Sequence, residues 1–173
     1  EKSYLHRVRD ILIFTCYSGL RHSDVYALTK DAVKEKIMEV VTIKTDDKLI
    51  IDLNKHTKEI LNKYKDETFP NNKALPVISN QKYNEYLKEL GELVGLTESI
   101  MTTYYKGNKR IEEVVPKYLL LTSHIGRRSF ICNGLFLGIP VHIMMKWTGH
   151  SDYKSMQPYI DTVDEMRSEA MEM

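Results

Sequence analysis

The sequence predicts one mainly α-helical domain with two small antiparallel β-hairpins. Most of its 173 residues fall in segments whose apolar positions recur at the spacing of an amphipathic helix. Glycines follow several of these segments where helices commonly end. Two other stretches are rich in β-branched residues on either side of a polar turn, which is typical of a hairpin. The predicted order is therefore helices, hairpin, helices, hairpin, helices.

The first helix is predicted over residues 4–18, whose apolar side chains share one face. Gly19 follows as a C-cap, and Ser23 is placed to cap a short second helix that runs to Leu28. Arg21 therefore lies in a tight corner between two helices, which holds a side chain more firmly than a loop tip. The alternative for a lone arginine is an ordinary surface position.

The first hairpin is predicted to have strands at residues 36–44 and 49–53, around a turn at 45–48. Lys44 and Lys48 flank this turn. Lysines at hairpin tips usually maintain solubility. Lys44 could instead reach into a site if the hairpin leans over one.

Two polar-faced helices are predicted over residues 55–65 and 80–94, before a second hairpin with strands at 100–105 and 110–115. The turn of this hairpin carries three cations, Lys106, Lys109 and Arg110. Such a turn is either a solvated tip or a phosphate contact, and the sequence leaves both alternatives open.

A helix predicted over residues 124–137 opens the last third of the chain with His-Ile-Gly-Arg-Arg-Ser-Phe. The hydroxyl of Thr122 or Ser123 is expected to cap it. His124 and Arg127 share one helical face near the N-terminus, where free N–H groups and the helix dipole favour an anion. A guanidinium there offers a planar donor fork to phosphate. The alternative is an exposed basic turn.

A helix over residues 140–147 is followed by Thr-Gly-His150-Ser and a further helical segment towards Tyr159. A tyrosine on a helix is usually a packing residue, but Tyr159 lies nine residues after His150, and this spacing singles it out. His142 is assigned to the surface or to packing. A short terminal helix then carries a narrow apolar stripe, which consists of Val163, Met166, Ala170 and Met173. This helix either folds back or docks on another molecule.

Composition excludes some classes of protein and leaves others open. A net charge of +1 does not indicate nucleic-acid binding, so a DNA-binding role depends on where the cations lie. No apolar run is long enough for a transmembrane helix, and the charged opening residues lead us to expect no signal peptide. Cys16 and Cys132 are predicted to be reduced and buried, which favours the cytosol. The six histidines show no metal-ligand spacing. The abrupt start suggests a domain of a longer protein.

Six of these residues together resemble the catalytic set of the tyrosine recombinases, the phage-integrase family. They are Arg21, Lys44, His124, Arg127, His150 and Tyr159. The matching stretches are Ser18-Gly-Leu-Arg-His-Ser-Asp24, Ile43-Lys-Thr45, His124-Ile-Gly-Arg-Arg-Ser-Phe130 and Thr148-Gly-His-Ser151. Each motif is weak alone, but their order and intervals are similar to the family's over nearly the whole chain. Among subfamilies, the chain is most similar to integrases of mobile elements such as conjugative transposons.

The resemblance implies a tyrosine recombinase catalytic-domain fold over residues 1–173, without the family's N-terminal DNA-binding domain. It also implies that residues 161–173 dock on a neighbouring protomer. Two features differ from the usual pattern. Asp24 stands where many members carry a glutamate, one carbon longer, and is expected to buttress Arg21. The second hairpin, over residues 101–117, is longer than in minimal members.

The resemblance further implies a strand-transfer reaction without metal or cofactor. Tyr159 would attack the scissile phosphorus to give a 3′-phosphotyrosine and a free 5′-hydroxyl, and the covalent intermediate would conserve the phosphodiester energy. Lys44 would protonate the leaving 5′-oxygen. His124 is one candidate for the group that takes the proton of Tyr159, and this assignment stays open.

Charge on the phosphate would be stabilised by the remaining groups of the set. Arg21 and Arg127 would clamp the non-bridging oxygens, and His124 and His150 would add hydrogen-bond donors.

The partners implied are double-stranded DNA, further copies of the chain in a dimer or tetramer on DNA, and accessory DNA-bending proteins. No membrane is involved, and the expected location is the cytoplasm, on the nucleoid of a bacterium or its mobile element. Two alternatives keep a DNA role: relaxation of supercoils by type IB topoisomerase-like chemistry, or an inactive DNA-binding domain, which the presence of all six residues disfavours. A helical scaffold unrelated to DNA would leave the arginine, histidine and tyrosine set unexplained.

Overall fold

A computed structural model describes residues 3–44, 46 and 48–171, with side chains as far as residue 168. It confirms a mainly α-helical domain with two small antiparallel hairpins. The helices are α1 (Ser3–Ser18), α2 (His22–Ala27), α3 (Lys55–Tyr64), α4 (Asn80–Leu93), α5 (His124–Phe136), α6 (Val141–Thr148) and α7 (Gln157–Met171). The strands are β1 (Ile37–Val41), β2 (Lys48–Asp52), β3 (Ser99–Lys106) and β4 (Lys109–Pro116). None of the helices described is long and apolar enough to cross a membrane.

Two apolar clusters form the core, and α5 lies between them. The larger cluster joins α1 and the segment after it to both strands of the first hairpin, α3 and α4, with Phe14, Leu20 and Leu75 almost fully buried. The smaller cluster joins α5, α6 and α7, and includes Ile131 and Met144. The first turns of α5 pack on α1, so the side chains there face the boundary between the clusters.

The contact between α1 and α5 is very close at Gly126. A Cβ added there would lie 1.9 Å from Thr15 Oγ1 and 2.7 Å from Thr15 Cβ. At the end of α1, Gly19 has a φ of +70°, and a Cβ on it would lie 2.5 Å from the Phe130 ring. Glycine is therefore required at both positions, because the helices approach more closely than any side chain permits.

The first hairpin is shorter than predicted. The pairing ends at Val41, because the carbonyl of Thr42 turns to accept a hydrogen bond from the Asp46 N–H at 2.9 Å. Lys44 consequently lies in the connection between the strands and not at a strand end. Thr45 and Asp47, which fall in the predicted turn, lie outside the described residues.

The second hairpin matches the prediction and is exposed over most of its length. Its register runs from Ser99 opposite Pro116 to Lys106 opposite Lys109. The three cations of its tip are all exposed, and Arg110 forms an ion pair of 2.6 Å with Glu112 on the same strand.

The terminal helix folds back on its own chain over the part described. Val163 is buried in the smaller cluster, and Arg167 Nη2 donates a hydrogen bond to the carbonyl of Leu135 at 2.9 Å. Met166 is 41% exposed, and the side chain of Ala170 and all of Met173 lie outside the described residues. Docking of residues 161–173 on a neighbouring protomer stays a prediction.

The two cysteines are free, but each is half-buried and not fully buried as predicted. Cys16 is on α1 and Cys132 on α5. Burial raises the pKa of both thiols.

Candidate active site

The corner after α1 holds Arg21 beside a buried carboxylate. Arg21, and not Ser23 as predicted, occupies the N-cap position of α2, because both the Asp24 and Val25 N–H groups donate to its carbonyl at 3.0 Å. The Asp24 side chain is fully buried, and its Oδ2 lies 3.9 Å from Arg21 Nη1 in an ion pair. Arg21 Nη1 is itself buried and forms no hydrogen bond within the described residues. Since buried donors are rarely left unpaired, this atom is suited to bind an anion.

Asp24 also connects this corner to the first hairpin. Its Oδ1 accepts a hydrogen bond from the Ile43 N–H at 3.0 Å. One carboxylate therefore holds Arg21 and the backbone directly before Lys44. The Lys44 side chain is exposed, and its positive charge helps to lower the pKa of His150.

Arg127 is the most deeply buried cation of the set, with 4% of its surface exposed. Its Nη1 donates to the carbonyl of Gly19 at 2.8 Å, and its Nη2 donates to the carbonyl of Thr148 at 2.5 Å. The guanidinium thus joins the end of α1 to the end of α6. Burial above all, and then the charge of Arg21, lower the pKa of Arg127 to about 10. Arg127 therefore remains charged at neutral pH.

His150 lies just beyond α6, after the left-handed Gly149, whose φ is +63°. Its Nδ1 is 2.7 Å from Thr148 Oγ1, and its Nε2 is 3.3 Å from Arg127 Nη2. Burial, followed by the charges of Arg127 and Arg21, lowers the pKa of His150 to about 4. The imidazole is therefore neutral at physiological pH.

Tyr159 lies in the first turn of α7, opposite His150. The two ring centroids are 6.2 Å apart, and the rings are inclined by 60°. Tyr159 is half-buried against the smaller cluster, and a negative charge on it would raise the pKa of Arg127. Asp152 leads into this helix, because its carboxylate accepts from the Ser155 N–H at 2.8 Å and caps the turn at Tyr153–Met156.

The structure thus brings together Arg21, Arg127, His150 and Tyr159, and the charge of Lys44 acts on His150. His124 is different: it is the exposed first residue of α5, and none of the hydrogen bonds, ion pairs or ring contacts among the described residues joins it to the other five. The predicted hydroxyl cap of α5 is also wrong. The Ser123 N–H instead donates to Asn84 Oδ1 on α4 at 2.7 Å, so a side chain from another helix anchors the start of α5.

Sequence reasoning did not assign a role to Thr148, which was part of a matched motif only. Its hydroxyl and carbonyl contact His150 and Arg127, and it is fully buried. One signal was available, since a threonine in the last turn of a helix often bonds to the carbonyl four residues earlier. Its bond to Met144 O is of this kind.

The site carries an excess of positive charge. Arg21 and Arg127 lie near a single buried carboxylate, Asp24, so the balance favours the binding of an anion. No group of three histidine, cysteine or acidic side chains that could hold a metal ion occurs in the part of the chain described.

Comparison with solved structures gives matches to recombinases and integrases across almost the whole chain. The crystal structure of XerA recombinase has a TM-score of 0.65 at 18% identity, covering 98% of this chain and 64% of that one. XerH site-specific recombinase bound to palindromic difH substrate, in a post-cleavage complex, has a TM-score of 0.66 at 14% identity, covering 100% of this chain and 48% of that one. The Tn1549 transposon integrase in complex with circular intermediate DNA has a TM-score of 0.61 at 14% identity, covering 92% of this chain and 54% of that one.

The chain therefore spans roughly half to two thirds of the length of these proteins. No protein-family model matches the sequence, and no curated protein matches it. The likeness is one of structure, and it extends from the first described helix to the last. This chain has the tyrosine recombinase catalytic-domain fold.

Proposed function

We propose that this chain is the catalytic domain of a site-specific DNA recombinase that cleaves and rejoins DNA strands through Tyr159. The observation that carries the proposal is the convergence of two arginines, a neutral histidine and a tyrosine on one cationic site. The fold is one in which recombinases and integrases have been solved with DNA, which adds support.

The reaction exchanges one phosphodiester bond for another. The Tyr159 oxygen attacks the scissile phosphorus, the bond from phosphorus to the 5′-oxygen breaks, and the 5′-oxygen leaves with a proton as a free hydroxyl. The 3′-phosphotyrosine retains the energy of the broken bond, so a second 5′-hydroxyl can attack it without an external energy source. That second attack completes strand exchange and releases Tyr159.

Arg21 and Arg127 stabilise the charge that builds up on the non-bridging oxygens. Arg21 Nη1 has no hydrogen-bond partner among the described residues, and the Arg21 side chain is 17% exposed, so the guanidinium can bind a phosphate oxygen from its exposed part. Arg127 is held by two carbonyls, so its charge is preorganised and need not be reoriented during the reaction. Removal of one such donor typically costs about 3–4 kcal/mol of barrier.

Lys44 is the general acid that protonates the leaving 5′-oxygen, because it is an exposed cation next to the Asp24-bound Ile43 and its charge helps to lower the pKa of His150. The group that takes the proton of Tyr159 stays open, and His124 remains a candidate. A substrate whose bridging 5′-oxygen is replaced by sulfur tests Lys44, since a thiolate leaves without protonation. Lys44→Ala should be slow on the oxygen substrate and nearly normal on the sulfur substrate. Equal loss on both would exclude this role.

The partner proposed is double-stranded DNA, and the cellular role is integration or excision of a mobile element by several copies of the protein on DNA. The XerH and Tn1549 proteins were solved in complex with DNA, which supports a DNA partner, and the second is a transposon integrase, which supports a mobile element. Assembly into a dimer or tetramer, contact of residues 161–173 with a neighbouring protomer, recruitment of DNA-bending proteins and a cytoplasmic location belong to the same proposal.

Covalent trapping tests the proposal without knowledge of the DNA site. The protein is incubated with nicked duplexes of randomised sequence, so that a cleaved strand end is lost and the phosphotyrosine cannot be resealed. Wild type should form an adduct that survives denaturing detergent, and Tyr159→Phe should not. Tyr153→Phe is the matched control, because Tyr153 is a 56% exposed tyrosine six residues earlier and should form the adduct normally.

The recovered DNA distinguishes the functions. A shared sequence among the trapped duplexes indicates site-specific recombination, whereas trapping without sequence preference together with plasmid relaxation indicates topoisomerase-like activity. No adduct from wild type, or an adduct from Tyr159→Phe, would refute the proposal. A crystal soaked in sulfate gives an independent check, because Arg21 and Arg127 should bind one sulfate ion between them.

A further inference from the structure

Thr148 contacts both Arg127 and His150 at the centre of the site. It is the last residue of α6 and is fully buried. Its Oγ1 lies 2.5 Å from the carbonyl oxygen of Met144 and 2.7 Å from Nδ1 of His150. Its own carbonyl accepts the hydrogen bond from Arg127 Nη2.

The number of protons available to these atoms determines how they are arranged. A threonine hydroxyl has one hydrogen and two lone pairs, and a backbone carbonyl can only accept. Two oxygens 2.5 Å apart need a proton between them, so the Thr148 hydrogen points to Met144 O. Only the lone pairs of Oγ1 then remain for His150. Nδ1 must therefore carry a hydrogen and donate it to Thr148.

The other ring nitrogen follows from this assignment. The imidazole is neutral, because burial and the nearby charges of Arg127 and Arg21 hold the pKa of His150 at about 4. With its one hydrogen on Nδ1, Nε2 has a lone pair. Arg127 Nη2 lies 3.3 Å from Nε2 and 3.5 Å from Nδ1, almost equally far from both, so this contact does not distinguish the tautomers. In the opposite tautomer, lone pairs of Nδ1 and of Thr148 Oγ1 would face each other across 2.7 Å, and that hydrogen bond would be lost.

We propose that Thr148 is a positioning residue, whose hydroxyl fixes His150 in the Nδ1–H tautomer and whose carbonyl holds Arg127 in place for the reaction. The tautomer depends on the geometry alone, and its effect on cleavage rests on the proposed function. Thr148 acts from both of its polar groups, since the hydroxyl sets the histidine ring and the carbonyl binds the guanidinium. Nε2 is consequently the only ring nitrogen that can take up a proton while Nδ1 stays bonded to Thr148.

The test uses two substitutions that differ in the hydroxyl. Thr148→Val keeps the shape of the side chain and removes the hydroxyl, whereas Thr148→Ser keeps the hydroxyl. Long-range ¹H–¹⁵N NMR identifies which ring nitrogen carries the proton, and His150→Gln assigns the signals among the six histidines. Wild type and Thr148→Ser should show the proton on Nδ1 of His150. Thr148→Val should show it on Nε2 or distributed over both.

A purely structural role for Thr148 would not move the tautomer, so these spectra are diagnostic. A proton on Nε2 in wild type would overturn the proposal, and this measurement does not require that either Thr148 variant fold. A proton held on Nδ1 in a folded Thr148→Val protein would also overturn it. Cleavage in the trapping assay should fall roughly 10- to 100-fold in Thr148→Val, as when other groups that orient a catalytic side chain are removed, and should recover in Thr148→Ser. Equal cleavage by the valine variant and wild type would refute the link to catalysis.

The spectra need no DNA, so the two proposals can fail separately. If the tautomer is as stated and no protein forms an adduct, the proposed function fails and the assignment of His150 stands.

Discussion

Substitution of Gly126 by alanine tests whether the close approach of α1 and α5 sets the geometry of the site. A Cβ at this position would lie 1.9 Å from Thr15 Oγ1, 2.7 Å from Thr15 Cβ and 3.2 Å from the Cys16 backbone nitrogen. Rotation of the Thr15 side chain would relieve the first contact but not the second, which is about 0.7 Å short of the 3.4 Å at which ordinary contact begins. The two helices must therefore separate by a similar distance.

Two opposing energies determine the expected effect of Gly126→Ala on stability. Overpacking of a buried contact costs about 1–3 kcal/mol, and alanine regains up to about 1 kcal/mol of helix propensity. We expect the free energy of unfolding to fall by about 1–2 kcal/mol. The same separation moves Arg127 on α5 away from the Gly19 carbonyl at the end of α1, which it now reaches at 2.8 Å. Since a misplacement near 1 Å can cost about 100-fold in rate, cleavage should fall by about 10- to 100-fold.

Gly134→Ala is the matched control for this experiment, because it makes the same change on the same helix. A Cβ at Gly134 would lie 2.7 Å and 2.9 Å from Sδ and Cε of Met144 and 3.6 Å from Ile139 Cδ1, so its close contacts are with the end of a flexible side chain and not with a Cβ or the backbone. Urea denaturation gives the midpoint and slope for both variants. Gly126→Ala should shift the midpoint down and Gly134→Ala should shift it less. If the two variants are equally destabilised, or if Gly126→Ala cleaves DNA as fast as wild type, the contact with Thr15 does not have the role assigned to it.

Three further predictions address the charges. The free energy of unfolding should fall by up to roughly 3 kcal/mol as the pH is lowered from about 6.5 to about 4, because His150 binds a proton in the unfolded chain but stays neutral in the folded protein. Denaturation measured across this range should depend less on pH in His150→Gln, and the same dependence as in wild type would contradict the assignment. Asp24→Asn should lower the free energy of unfolding by about 2–3 kcal/mol and weaken sulfate binding at Arg21, and wild-type behaviour in both would show that the ion pair contributes little. If the tip of the second hairpin contacts phosphates, the slope of log affinity against log salt should fall by about 0.9 for each contact removed by alanine, and an unchanged slope would indicate a solvated tip. The residues to substitute there are Lys106, Lys109 and Arg110.

The helices were predictable because each has an amphipathic pattern that is long enough to be unambiguous. The predicted bounds of α1, α3, α4 and α5 lie within one or two residues of those observed. Their ends were less predictable, because tertiary contacts replaced local ones. Ser123 is suited to cap α5 by sequence, yet its backbone N–H bonds to Asn84, 39 residues earlier.

The members of the site were predictable from motifs, but their arrangement was not. Arg127 was predicted to project beside His124 from the start of a helix, towards an anion. Its guanidinium instead turns inward to carbonyls that lie 108 and 21 residues away in the sequence. Every residue has a carbonyl, so no sequence pattern marks those that will bind a guanidinium. For the same reason the part played by Thr148 became visible only from its contacts.

Two of the charged groups also join different segments of the chain. Asp24 links α2 to the connection of the first hairpin, and Arg127 links the end of α1 to the end of α6. The Asp24 link lies within the larger cluster, whereas the Arg127 link crosses the boundary between the two clusters, where apolar packing alone does not set the distances. Buried polar bonds with defined geometry set them there instead. The guanidinium that would stabilise a reacting phosphate is therefore also the group that joins the two clusters at the site.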